Sequence, residues 1–259
     1  MKRIHSYSFI TILAALVLFS CEKNELRLTI YDLPTDKAYA RFFFLSPGTP
    51  SVMIKVNDVK LNGSNTAGSG GLFPSIINQP DYAAVTPNAA MKLSLPNIGT
   101  LNDSVIIFTG NIGLAAGKFY AVTLADTGVD RTLFANETSL SPVPDSGFFY
   151  IRFINAMAKS PSLSLIRIDS ASAAVVTRDT IVKNLDFKAA SNFIKLPISG
   201  TNANVRYRMA TSTGINVGTV QTPPATASLN QRSITYYAGG FSNGTGIYVP
   251  TLSTAIYNQ

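Results

Sequence analysis

The chain has 259 residues, with 21 basic and 14 acidic side chains, one histidine, one cysteine and no tryptophan. A single cysteine excludes a structural disulfide within the chain, and one histidine with one cysteine leaves no set of ligands for a structural zinc site. Charged residues make up only 14 % and hydrophobic ones 46 %, which is the balance of a chain that buries a core, not of a disordered one.

The chain opens on Met1-Lys2-Arg3 and an apolar run, Phe9 to Phe19. At ~1.5 Å per residue that run is about 16 Å long, short of the ~30 Å hydrocarbon core, so it predicts a cleaved export signal, not a permanent span. Leu18-Phe19-Ser20-Cys21 resembles a bacterial lipobox. The resemblance implies that Cys21 receives a diacylglycerol, that residues 1–20 are removed and that the new amino group is acylated. It places the protein in the cell envelope as an outer-membrane lipoprotein, on the periplasmic or the surface side. Phe19 stands where a small residue is usual.

Cleavage before Cys21 leaves 239 residues, and losing Lys2 and Arg3 takes the 21 basic side chains to 19 against 14 acidic, a net +5. His5, the sole histidine, leaves with the signal. The mature chain then lacks the imidazole of a Ser-His-Asp triad, a free thiol nucleophile and the histidine and free cysteine ligands of a zinc site. A carboxylate pair or a Ser-Lys arrangement would remain, but the acidic residues fall in no acid/base motif. The expectation is a protein that is not an enzyme and carries no cofactor. Lys and Arg are scattered without a cluster of four, so nucleic acid is not expected as a partner. Arg206 and Arg208, two residues apart, share one face of a strand, where a solvated face is the ordinary reading.

Residues 21–36 form a lipidated tether, polar from Glu22 to Glu25 and closed by Pro34. Beyond it, short β-branched and aromatic segments bounded by Gly, Pro, Asn and Ser predict strands at 39–45, 52–56, 91–95, 104–109, 119–125 and 132–135. Phe42-Phe43-Phe44 reads as a central strand buried on both faces. Asn62 to Ala90 reads as a long loop, glycine- and serine-rich in its first half. A second set of strands follows at 148–155, 162–168, 193–196, 204–210, 216–220 and 233–238, with a second long connection from Thr211 to Asn230 that includes Pro223-Pro224. Length differences between these loops suit either divergent ligand sites or tolerated drift.

The two sets repeat. Arg41-Phe42-Phe43 matches Arg152-Phe153-Ile154, and Pro50-Ser51-Val52 matches Pro161-Ser162-Leu163, at an offset of 111. Leu95-Pro96 matches Leu196-Pro197, and Lys118 to Val122 matches Arg232 to Tyr236 at an offset of 114. A period near 110 is a domain duplication. The predicted fold is all-β: two tandem immunoglobulin-like β-sandwich domains, 37–143 and 144–259, after the lipoprotein signal peptide.

Ala40-Arg41-Phe42-Phe43-Phe44-Leu45-Ser46-Pro47-Gly48-Thr49-Pro50-Ser51-Val52, continuing through Met53-Ile54-Lys55-Val56-Asn57, resembles the opening of the DUF4397 family. So does Ile151-Arg152-Phe153-Ile154-Asn155-Ala156, and Gly117 with Tyr120 resembles a later G-x-x-Y strand of that family. Phe44-Leu45 and Met157-Ala158 depart from its pattern. The resemblance implies immunoglobulin-like domains in envelope lipoproteins of Bacteroidetes-type bacteria, with no catalytic residues to carry over. Asp103-Ser104-Val105, Asp169-Ser170-Ala171 and Asp179-Thr180-Ile181 resemble the O-glycosylation signal of the same bacteria, which would put sugars on Ser104, Ser170 and Thr180.

Two functions fit these features. One is a binding or adhesion module, held to the membrane through lipid on Cys21, that takes a glycan or another envelope protein. It predicts exposed aromatics on one face, for example around Tyr236, Tyr237 and Tyr248. The other is a structural spacer or assembly subunit, which predicts an apolar interface between domains or an open sheet edge.

Overall fold

The computed structural model describes residues 33–48, 51–61, 71–74, 82–96, 103–127, 130–138, 145–170, 176–198, 204–223 and 229–257. Cys21, the export signal and most of the tether lie outside them. Thr35–Gln259 is one compact unit, and the regular secondary structure of its described residues is almost entirely strand.

Four sheets build this unit. In the first, β1 (Ala38–Phe44) lies between β4 (Leu72–Phe73) and β8 (Phe119–Ala125), with β9 (Thr132–Thr138) beyond β8 and β5 (Ala83–Val85) also paired to β1. The second runs β3 (Val59–Lys60), β2 (Met53–Val56), β6 (Met91–Pro96), β7 (Asp103–Gly110). The third runs β13 (Ile194–Pro197), β10 (Phe148–Asn155), β16 (Ser233–Gly239), β17 (Thr251–Tyr257). The fourth runs β12 (Val176–Leu185), β11 (Leu163–Ser170), β14 (Val205–Thr211), β15 (Asn216–Gln221).

Side-chain alternation explains how the sheets stack. From β1, Ala38, Ala40, Phe42 and Phe44 point to the second sheet and join Ile54, Met91 and Leu93 in one apolar core. From β10, Phe149, Ile151 and Phe153 meet Leu163, Leu165, Tyr207 and Met209 of the fourth sheet in another. The intervening residues of the first and third sheets meet each other: Phe43, Leu45, Ala121 and Ala125 pack on Ile154, Ala156, Tyr237 and Ala255. The all-β sandwich architecture is therefore as expected, and the Phe42-Phe43-Phe44 run is buried on both faces because each face meets a different core.

The two sheet pairs meet symmetrically. β1 pairs in parallel with β8, setting Arg41 opposite Ala121, and β10 pairs in parallel with β16, setting Arg152 opposite Thr235. Tyr120 faces Glu137 on β9, and its counterpart Ile234 faces Ile256 on β17. Arg41 donates from Nη1 and Nη2 to the Ile256 carbonyl (3.3 and 3.4 Å), while Arg152 donates from Nη2 to the Glu137 carbonyl (3.0 Å). The same bond is thus made twice between equivalent positions, the pattern of an isologous contact.

Each of the twelve expected strands has a counterpart. Five strands were not anticipated: β3, β4 and β5, of two or three residues each, and the polar β12 and β17. Two of these, β4 and β5, fall in the segment 62–90 read as a loop.

Candidate functional site

The connection from β16 to β17 is wound tightly by its glycines. Gly240 has φ +83°, and a Cβ there would overlap the Val249 carbonyl oxygen; one on Gly244 would overlap that of Tyr248. Gly246 has φ +60° and begins a 3-10 turn, Gly246–Tyr248. Only a residue without a Cβ meets these demands at low cost. Backbone bonds close the loop: Phe241 N–H to the Tyr248 carbonyl (3.0 Å), Gly244 N–H to that of Phe241 (3.0 Å) and Tyr248 N–H to that of Thr245 (3.1 Å).

What the loop holds up is apolar. Ile247, Tyr248 and Val249 are 67, 40 and 42 % exposed, three consecutive large side chains left partly in water. Tyr248 packs edge-to-face on Phe241, ring centroids 5.8 Å apart. Lys159 Nζ stands 5.7 Å from the Phe241 ring centre and 3.6 Å from the Asp130 carboxylate. Gly48 sits against the Ile247 Cδ1, where a Cβ would come within 3.0 Å.

A cleft of about 350 Å³ lies where β9 passes β10. Glu137, Thr138, Tyr150, Arg152, Ser191 and Phe193 are among its walls. Arg152 is buried, donates from Nε to the Ser191 carbonyl (3.0 Å), and has its guanidinium 5.6 Å from the Phe193 ring centre. With both donations made to backbone carbonyls on either side, its first task is to tie the sheet pairs together. At the rim, Lys118 binds the Glu137 carboxylate at 2.8 Å, and that bond holds its pKa above the ordinary lysine value.

Of the aromatics offered as an exposed patch, only Tyr248 is exposed. Tyr236 and Tyr237 are buried, because their strand is central and its two faces are the core of the second sheet pair and the contact with the first. Burial, with smaller opposing effects of Arg167 and Asp169, pushes Tyr207 up to about 12. Burial pushes Tyr236, whose ring lies tilted against that of Tyr207 with centroids 4.7 Å apart, further still, with Tyr207 adding to the rise.

Arg206 and Arg208 do share the outer face of the fourth sheet, as their spacing predicts. Ser104 lies in the backbone of β7, Ser170 ends β11, and Thr180 is exposed in the middle of β12. Among the described residues, no group of three His, Cys, Asp or Glu is placed to hold a metal ion. No helix among them is long and apolar enough to cross a membrane. The 240–250 loop itself went unread in the sequence, although Gly240, Gly244 and Gly246 ahead of Ile-Tyr-Val-Pro are a turn signal around an apolar cluster.

No family model matches the chain, and no curated protein matches it. Among solved structures it is similar to the TIE protein of Bacillus anthracis, at 10 % identity and a TM-score of 0.21, over 80 % of this chain and 34 % of that one. The chain spans about a third of that protein's length, and a likeness this low carries no functional argument.

Proposed function

We propose that the protein is a non-catalytic binding or adhesion module of the cell envelope, lipidated on Cys21 and built as two DUF4397-like sandwiches, 37–143 and 144–259. The 240–250 loop carries this reading. A loop fixed by glycines and backbone bonds that leaves Ile247, Tyr248 and Val249 in water is costly unless a partner covers them. Rigid display keeps the ordering cost of binding low. The chain enters the compact unit at Thr35, and β1 then runs seven residues, about 23 Å at ~3.3 Å each, toward Gly48 beside Ile247. The partner is a glycan or another envelope protein.

The test has two arms. Labelling with a palmitate analogue should be lost in Cys21→Ala; unchanged labelling refutes the anchor. A glycan and envelope-protein binding screen should yield a ligand that wild type holds and Ile247→Ser/Tyr248→Ser does not. Equal binding by both refutes the loop reading.

A structural spacer or assembly subunit is the second reading. The apolar contact around Phe43, Ile154 and Tyr237 favours it, since such a contact holds the two sheet pairs at a fixed distance.

A further inference from the structure

The outer face of the fourth sheet collects cations, and none of the described residues of its strands places a carboxylate on that face. On β11 the residues alternate: Leu163, Leu165, Arg167 and Asp169 share the face of Met209, Tyr207 and Val205, while Ile166 and Ile168 share the opposite face with Arg208 and Arg206. β12 extends these rows, setting Arg178 opposite Ile168 and Thr180 opposite Ile166. The outward rows are therefore Arg178-Ile168-Arg206 and Thr180-Ile166-Arg208.

The carboxylates of these strands face the other way. Asp169 pairs with Arg167 at 3.4 Å on the inner side, and Asp179 stands opposite Arg167. Arg178 is exposed, Arg206 and Arg208 are half-buried, and Arg206 donates from Nη1 to the Val205 carbonyl (2.9 Å). Arg206 and Arg208 are about 7 Å apart along the strand, and Arg178 is about 10 Å from Arg206 across one intervening strand. Ile166 and Ile168, both half-buried, form an apolar strip between the guanidinium groups.

We propose that this face binds an acidic polysaccharide, with Arg178, Arg206 and Arg208 taking its uronate carboxylates and Ile166 and Ile168 lying under its sugar rings. The guanidinium fork matches a carboxylate in a bidentate way, which a lysine ammonium cannot do. A flat strip of aliphatic side chains suits the C–H face of a pyranose. Nucleic acid fits less well, because these two rows hold no aromatic side chain on which a base would stack. The proposal is independent of the 240–250 loop, which serves a different surface.

The test uses the detergent-solubilised full chain and polygalacturonate as the probe, with dextran, double-stranded DNA and phosphatidylglycerol vesicles as comparators. Wild type should bind polygalacturonate with an affinity that falls as salt rises. Arg178→Ser/Arg206→Ser/Arg208→Ser should lose at least ~10-fold of that affinity with an unchanged Tm. Lys37→Ser/Lys118→Ser/Lys195→Ser, which removes the same charge elsewhere, should stay within about 3-fold. If the serine variant does not fold, the triple Arg→Lys variant is read instead: a loss of about 3-fold or more supports the fork reading, and wild-type affinity overturns it. Equal losses in the arginine and lysine sets, binding to dextran as tight as to polygalacturonate, or tighter binding to DNA or vesicles would each overturn the proposal.

Discussion

Tyr236→Phe should stabilise the protein, and the reason is a single oxygen. Tyr236 is fully buried in the core of the second sheet pair, and its hydroxyl has no hydrogen-bond partner among the described residues. A buried hydroxyl without a partner costs about 1–3 kcal/mol relative to an apolar group of the same shape. Phenylalanine keeps the ring and its contact with Tyr207, so the expected gain is about 1–2 kcal/mol at pH 7 in urea denaturation, read as a higher midpoint at constant m. The pH dependence gives an independent check. Tyr207 and Tyr236 are both raised by burial, Tyr207 to about 12, whereas in the unfolded chain each titrates near its ordinary value of about 10. Raised folded values mean that the fold retains protons the unfolded chain gives up. The stability this represents is intact below about pH 10 and is lost as pH climbs from there through 12, at about 1.4 kcal/mol per pH unit for each tyrosine. Removing one of the two hydroxyls should therefore flatten the alkaline limb by about half. A variant that is destabilised at pH 7, or one with an unaltered alkaline limb, would refute the reasoning and mean that the hydroxyl is bonded.

Two further substitutions test the framework. Gly240→Ala forces a Cβ into a φ of +83° and onto the Val249 carbonyl oxygen, so it should cost about 1–3 kcal/mol or reshape the loop. Denaturation combined with the loop's binding assay separates the two; a neutral result in both would contradict the tight winding. Phe43→Ala empties a fully buried site against Tyr237 at 4.2 Å and should cost about 3–5 kcal/mol. A loss under about 1 kcal/mol would mean that the contact between sheet pairs is loose.

Much of the strand order was legible because the central strands are apolar on both faces. Ala38–Phe44 and Phe148–Asn155 contain too few polar residues to be anything but interior strands. β12 was missed for the opposite reason: Val176–Leu185 is an edge strand whose Thr177, Arg178, Asp179 and Thr180 are exposed, so it has no apolar face to announce it. Strand β17, Thr251–Tyr257, is concealed by threonine and serine where its partner β16 supplies the apolar side. The candidate loop was legible only as glycines, since nothing in Ile247-Tyr248-Val249 distinguishes a core strand from an exposed tip. The pairing of Arg178 with Arg206 and Arg208 could not be read at all: it depends on two strand registers, one of them bulged between Leu163 and Ile166.

The spacer reading and the binding reading converge on β1. Its outward residues run in succession along the β16–β17 hairpin. Arg41 donates to the Ile256 carbonyl, Phe43 packs on Tyr237, Leu45 lies beside Gly239, and Gly48 lies against Ile247. The first sheet pair therefore braces the hairpin from its base to its tip. This arrangement accounts for an isologous contact with unequal uses. Equivalent positions, Arg152 and Ile154, grip the first sheet pair in return, but the described residues of the connection after β8, Asp126, Thr127, Asp130 and Arg131, are polar where those after β16 include Ile247, Tyr248 and Val249. The distance-setting interface and the display loop are then one device, and weakening the interface at Phe43 should lower binding at Ile247 and Tyr248 in a variant that remains folded at assay temperature. A Phe43→Ala protein that is destabilised as expected yet binds the loop's ligand with wild-type affinity would separate the two and leave the interface as a spacer alone.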